Sequence, residues 1–198
     1  MIRNPVTINF SNWRDKLKNP WKKLSSKLIY KNQWIRLRED QVITPSGSQG
    51  IYSVVEAKPA IGIVPLTDDL MTYLVGQYRY AIDVYSWEIP EGGGLDGEDT
   101  LVGAKRELVE ETGLYAKKWT FLNTLYTSNS FTDEVATIYL AEDLIQGIPQ
   151  PDHTEELQIK KVPFMDAWQM VLDTEIKDAM AVIGLMRTYN YLKRQKRI

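Results

Sequence analysis

Residues 92–114 read GGGLDGEDTLVGAKRELVEETGL, and they limit the fold more than any other part of the chain. Three glycines open the stretch, and their lack of a side chain lets the backbone approach a neighbouring group closely. Asp99 is placed to cap a helix. Leu101, Ala104 and Leu108 then recur at helical spacing and mark a buried face, and Gly113 supplies a stop. Glu107, Glu110 and Glu111 stand at i, i+3 and i+4, so their carboxylates share one helix face. Like charges so arranged repel unless a cation neutralises them, and a solvated acidic face is the competing reading.

The rest of the composition narrows the chemistry. A chain of 198 residues, 43% hydrophobic, suits one domain or one domain with an appended piece. The net charge of −2 leaves no basic footprint, so a nucleic-acid polymer is not an expected partner. No apolar run reaches the length of a membrane span, and the first residues lack the apolar core of a signal peptide; cytoplasm is the expected compartment. With no cysteine there is no thiol nucleophile, disulfide or thiolate metal site. The single histidine, His153, lies in the polar loop PQPDHTEE and cannot build a multi-histidine zinc site. A metal here rests on carboxylates, carbonyls and water, which suit magnesium or manganese.

Residues 1–25 read as an arm, mixed in charge and carrying Trp13 and Trp21. Strands are expected at 28–30, 34–44 and 51–57, the last two joined by a Pro45-Ser46-Gly47 turn. Residues 60–66 and 71–78 read as a hairpin across Thr67-Asp68-Asp69. A short strand at 87–89 leads into the glycines. Beyond the helix, strands are expected at 119–127, 135–141 and 155–162, and helices at 166–172 and 178–193. The basic end of the last helix suits the macrodipole. Strands mixed with helices at intervals give an α/β arrangement.

Gly92, Glu98, Arg106, Glu107, Glu110, Glu111 and Gly113, with Leu108 and Leu114 at the aliphatic positions, fit the frame G-x5-E-x7-R-E-U-x-E-E-x-G-U. This frame resembles the box of the Nudix hydrolases, and the match is complete. Seven fixed letters at ordinary residue frequencies coincide about once in 10^8 to 10^9 trials. The likeness to the wider family runs over roughly residues 28–191.

The resemblance implies an α/β/α sandwich around a mixed sheet, with the hydrolase domain at 26–198, its N-terminal strands at about 28–57 and its catalytic core at about 58–198. It implies that Glu107, Glu110 and Glu111 hold Mg2+, with Mn2+ as a substitute, and that the backbone carbonyl of Glu91 adds a ligand. Divalent ions held there polarise phosphoryl oxygens and activate a water for in-line attack. Glu111 is thereby counted as catalytic. Arg106 joins it through an ion pair with Glu98 that holds the loop to the helix. Gly92, Gly93 and Gly94 let the backbone approach the phosphates. Several relatives that cleave ADP-ribose take their general base from a downstream loop, where Glu155 is the first choice here and Glu156 the second; both also read as plain exposed loop acids.

Two segments bear on the substrate. Val75-Gly76-Gln77-Tyr78-Arg79 resembles the V-x-Q-[YF]-R strand of ADP-ribose and nucleoside-diphosphate-sugar hydrolases, and Trp87-Glu88-Ile89-Pro90-Glu91-Gly92 resembles their E-[LIM]-P-A-G. By this likeness Arg79 contacts the diphosphate, a task that suits a rigid fork of donors, and Glu88 belongs to the same binding region. Trp34 falls where some relatives stack an aromatic on the base.

There are two departures. Asn129 stands where such hydrolases usually carry a proline, in the loop that runs to Glu134 and is expected to meet the terminal sugar. Ile51-Tyr52 stand where some relatives carry an arginine. The expected activity is Mg-dependent hydrolysis of ADP-ribose or a related nucleoside diphosphate sugar to a nucleoside monophosphate and a sugar phosphate. The alternatives are a nucleoside-triphosphate pyrophosphatase and a non-catalytic nucleotide-sugar sensor. A homodimer is expected, since close relatives exchange their N-terminal strands.

Overall fold

Runs of β-branched and aromatic residues between turn residues, and three segments of helical apolar spacing, set the elements of this chain. The computed structural model describes residues 18–148 and 156–198. The chain divides into two compact units, Met1–Val55 and Glu56–Ile198.

In the first unit, strands β1 (Lys22–Lys31), β2 (Ile35–Ile43) and β3 (Gln49–Ala57, whose end passes into the second unit) form a sheet in that order. The chain turns between β2 and β3 at Gly47, where φ is +87°, a conformation that glycine adopts without strain. The first strand starts at Lys22, inside the segment read as an arm, because Lys22 to Leu28 pair with Arg38 to Ile43 of β2. Trp34 was expected on the second strand and instead sits just before it. Asn32 Oδ1 accepts the N–H groups of Trp34 and Ile35, at 2.9 and 2.8 Å, and closes a side-chain turn there.

The second unit contains β4 (Ala60–Pro65), β5 (Met71–Arg79), β6 (Val84–Glu88), β7 (Glu91–Gly93), α1 (Thr100–Thr112), β8 (Leu114–Tyr126), β9 (Val135–Gln146), β10 (Gln158–Pro163), α2 (Phe164–Leu172) and α3 (Ala179–Arg194). One sheet has the order β7-β4-β9-β8, with β4 parallel to β9 and the other pairs antiparallel. A second sheet, β10-β5-β6, is antiparallel.

Every residue of β4 is buried, so both of its faces must be covered. Ile61 and Ile63 pack with Ala104 and Leu108 of α1, while Val64 packs with Ala181 and Leu185 of α3. Successive strand residues point to opposite faces, so helices cover both sides of the mixed sheet in an α/β/α sandwich. Burying each of the isoleucine, leucine and valine side chains among these contributes about 1.5–3 kcal/mol.

The hairpin expected across Thr67-Asp68-Asp69 does not form. β4 and β5 belong to different sheets, and an isolated antiparallel bridge joins Leu66, just past β4, to Thr72. A tight turn, with Leu70 at φ +59°, redirects the chain, and Thr72 Oγ1 donates to the Pro65 carbonyl at 2.8 Å. β8 is longer than expected, since it starts at once after the helix stop and pairs Leu114 with Gln146.

Candidate active site

The helix α1 is defined at both ends by its own residues. The Asp99 carboxylate accepts the N–H groups of Leu101 and Val102, at 2.9 and 3.3 Å. Gly113 takes the left-handed conformation, φ +69°, and its N–H closes on the Val109 carbonyl. With Ala104 and Leu108 turned into the core, the acidic face meets β7. Glu107 and Glu111 are 8% and 2% exposed, and Glu110 is partly exposed.

Two links fix this face against the glycine turn. Glu111 Oε2 accepts the backbone N–H of Glu91 at 2.9 Å. A Cβ at Gly92 would fall on the Glu107 carboxyl, so only glycine leaves that carboxylate its place beside the strand. Arg106 completes the assembly. Its Nη2 donates to the Gly93 carbonyl at 2.9 Å and to Glu98 Oε2 at 3.1 Å, and its Nη1 to Glu107 Oε1 at 2.6 Å and Glu110 Oε2 at 2.9 Å. The bond to Glu98 is the largest influence holding this guanidinium charged, above its ordinary pKa, and it lowers that of Glu98 in turn.

This donor set fits a hard divalent cation. Arg106 pairs with Glu98, Glu107 and Glu110, Glu107 and Glu111 are buried, and the missing side chain at Gly92 leaves room for the Glu107 carboxylate. Carboxylate oxygens, with no histidine or cysteine among these residues, suit Mg2+ or Mn2+.

A second charged group adjoins the first. Arg79, at the end of β5, donates from Nε to the two oxygens of Glu88 at 2.9 and 3.1 Å, and from Nη2 to Glu91 Oε1 at 2.7 Å. Burial works against the charged guanidinium, but Glu88 and Glu91 more than offset it and hold its pKa above the ordinary value. Asp178, which caps α3 by accepting the Ala181 N–H at 2.7 Å, brings a third carboxylate. Burial first, then the nearby Asp178 and Glu88, push the Glu91 carboxyl well above the usual carboxylate range, with Arg79 opposing. A cleft of about 860 Å³ opens over this group, lined among others by Arg79, Tyr85, Glu88, Glu91, Thr127 and Glu134.

Residues 56–183 match the model of the NUDIX domain, and residues 21–55 match that of the nucleoside diphosphate sugar hydrolase N-terminal domain. The chain belongs to the Nudix family. It is 35% identical over 170 residues to the ADP-ribose pyrophosphatase of Mycobacterium tuberculosis, covering 84% of this chain and 82% of that protein. The ADP-ribose pyrophosphatase of Bacillus subtilis is 32% identical over 166 residues, 83% of this chain and 90% of that protein. A solved structure of an ADP compounds hydrolase superposes with a TM-score of 0.82 at 24% identity, covering 92% of this chain and all of that one, and so shares the fold. The protein is a Nudix pyrophosphohydrolase, which cleaves a diphosphate.

Glu91, Gly92, Gly93, Glu98, Arg106, Glu107, Glu110 and Glu111 therefore lie together on β7, α1 and the loop joining them, and Gly113 caps the end of α1. Arg79, Glu88 and Glu134 line the adjoining cleft. Asn129 is exposed and is not among the residues lining it. Glu156 is exposed two residues before β10, and Glu155 lies outside the described residues. Trp34, 67% exposed, belongs to the first unit. Asp178 was not among the expected site residues, because its nearness to Glu88 and Glu91 depends on how α3 packs. Glu175 and Lys177 beside it also reach the cleft.

Proposed function

We propose that the protein hydrolyses the diphosphate of ADP-ribose, or of a related nucleoside diphosphate sugar, to a nucleoside monophosphate and a sugar phosphate, with Mg2+ as its ion. The observation that carries this reading is the pairing of Arg79 with Glu88 and Glu91, which sets a guanidinium on the wall of a cleft beside the glycine turn. The likeness to two ADP-ribose pyrophosphatases over more than four fifths of the chain supports it.

In this reading Glu107, Glu110, Glu111 and the Glu91 carbonyl hold the ion, which supplies charge neutralisation at phosphorus and an activated water. Arg106 positions these ligands through Glu98 and Gly93. Gly92 and Gly93 bring backbone close to the phosphates, and Arg79 binds the diphosphate. Asn129 and Glu134 serve the terminal sugar, Trp34 stacks on the base, and Glu155 or Glu156 accepts the proton. The protein acts as a homodimer, a reading supported by the exposed Trp21, Leu24, Leu28 and Ile29 of the first unit.

The test is a substrate panel with Mg2+: ADP-ribose, ADP-glucose, GDP-mannose, UDP-glucose, diadenosine polyphosphates, NADH and nucleoside triphosphates. ADP-ribose or another nucleoside diphosphate sugar should show the highest kcat/KM. A preference for triphosphates, releasing pyrophosphate, would replace this reading with a nucleotide-clearing role.

A further inference from the structure

The family-like segment E-[LIM]-P-A-G ends here in Pro90-Glu91-Gly92, so a long acidic side chain stands where the pattern has a methyl group. That side chain turns inward. Glu91 is 8% exposed, and its Oε1 accepts from Arg79 at 2.7 Å. Its Oε2 is buried and takes no hydrogen bond. A buried carboxylate oxygen with no partner is costly and calls for a ligand.

The surroundings indicate which kind. One carboxylate oxygen from each of Glu88, Glu91 and Asp178 lies within 4.8 Å of the others. Oxygens bound to one hard cation sit at most about 4–5 Å apart, twice the usual metal–oxygen distance. The guanidinium of Arg79 balances one of the three negative charges. Lys177, Glu175 and Glu134 also line the cleft, so its wall adds one further negative charge. Within the group of Glu88, Glu91, Asp178 and Arg79 two negative charges are left over, and they match a divalent ion.

We propose that Glu88, Glu91 and Asp178 form a second divalent-cation site, separate from the box glutamates, for a hard ion such as Mg2+ or Mn2+. Glu91 then joins the two centres: its N–H is held by Glu111 on the box side, and its carboxylate ligates on the cleft side. An ion in this site takes over the neutralisation of Glu91, which frees Arg79 Nη2 for an anionic ligand in the cleft. Cation and diphosphate therefore bind here in support of each other.

The experiment counts bound Mn2+ by electron paramagnetic resonance on the full chain, in wild type and in Asp178→Asn, Glu91→Gln and the double variant Glu107→Gln/Glu111→Gln. Asparagine also caps helices, so Asp178→Asn keeps that role for α3. Asp178→Asn and Glu91→Gln should each lose about one equivalent of Mn2+, or weaken one class of site at least tenfold, with the far-ultraviolet circular dichroism of the wild type. The box double variant should lose a different equivalent and keep the class that Asp178→Asn removes. Unchanged stoichiometry and affinity in both cleft variants would overturn the second site. Loss of activity in the box variant alone bears on the box reading and leaves this count untouched.

Discussion

The backbone N–H of Glu91 donates to Glu111 Oε2 over 2.9 Å, and this bond ties the strand before the glycine turn to the last turn of the acidic helix. Two segments twenty residues apart are thereby held in register, so the acidic face cannot shift independently of the glycine turn. The same strand carries Gly92, against which the Glu107 carboxyl rests.

Gly92→Ala should test that close approach. The added methyl group overlaps the Glu107 carboxyl, and forced overpacking of this kind costs about 1–3 kcal/mol. We expect the variant to fold, with Mn2+ affinity at the box lowered by about tenfold or more, read by titration. Wild-type affinity would show that Glu107 has room to move aside without leaving its place.

Arg79→Lys separates binding from folding. Lysine keeps the positive charge opposite the buried Glu88 and Glu91 but loses the fork that serves both at once. KM for the diphosphate substrate should rise about tenfold, about 1.4 kcal/mol of binding, with a smaller change in kcat. Arg79→Ala should in addition lower stability by about 1–3 kcal/mol, since it removes the hydrogen-bond partner of two buried carboxyls while Arg79 itself is partly screened by solvent. Unchanged KM in Arg79→Lys would remove Arg79 from diphosphate binding.

Glu142 gives a pH-dependent prediction away from the site. It is buried on β9, with Lys118 Nζ 2.7 Å away and Arg197 as a second partner. Burial raises its pKa, but Lys118 and Arg197 more than offset this and leave it below the ordinary carboxylate value. A carboxylate depressed in the folded state stabilises fully above its unfolded pKa, and the contribution is lost as pH falls through the folded one. Glu142→Gln should therefore lower stability at neutral pH by about 1–3 kcal/mol. The gap from wild type should close on acidification below about pH 4. Thermal melts at several pH values check this, and a gap independent of pH would contradict it.

The general base is settled by Glu155→Gln and Glu156→Gln made singly. The residue that accepts the proton should lose about 10^2 to 10^4-fold in kcat, while the other should stay near wild type. No loss at either position would discard both.

The parts of this molecule that are legible in the sequence are those whose causes are local. The helix α1 begins at its Asp99 cap and stops at Gly113 because both signals act within one turn. The box residues assemble for the same reason, lying on a single helix and the loop before it. What depends on distant partners is less legible. The runs at 60–66 and 71–78 both read as strands, but nothing in them says that β5 pairs with β6 and β10 in place of β4. Residues 114–118 look polar and irregular, although pairing with β9 makes them strand. Asp178 stands at the start of the helix expected over 178–193, yet its meeting with Glu88 and Glu91 needs three elements to pack together.

The most direct measurement compares wild type with Glu111→Gln on ADP-ribose and Mg2+, following AMP and ribose 5-phosphate. Glutamine keeps an oxygen for the Glu91 N–H, so the fold should be retained, with an unchanged circular dichroism spectrum. The lost ligand charge removes several kcal/mol of transition-state stabilisation, so kcat should fall on the order of 10^3-fold. Release of both products by wild type with near-complete loss in the variant is the expected result. Glu111→Gln turning over at close to the wild-type rate would contradict it.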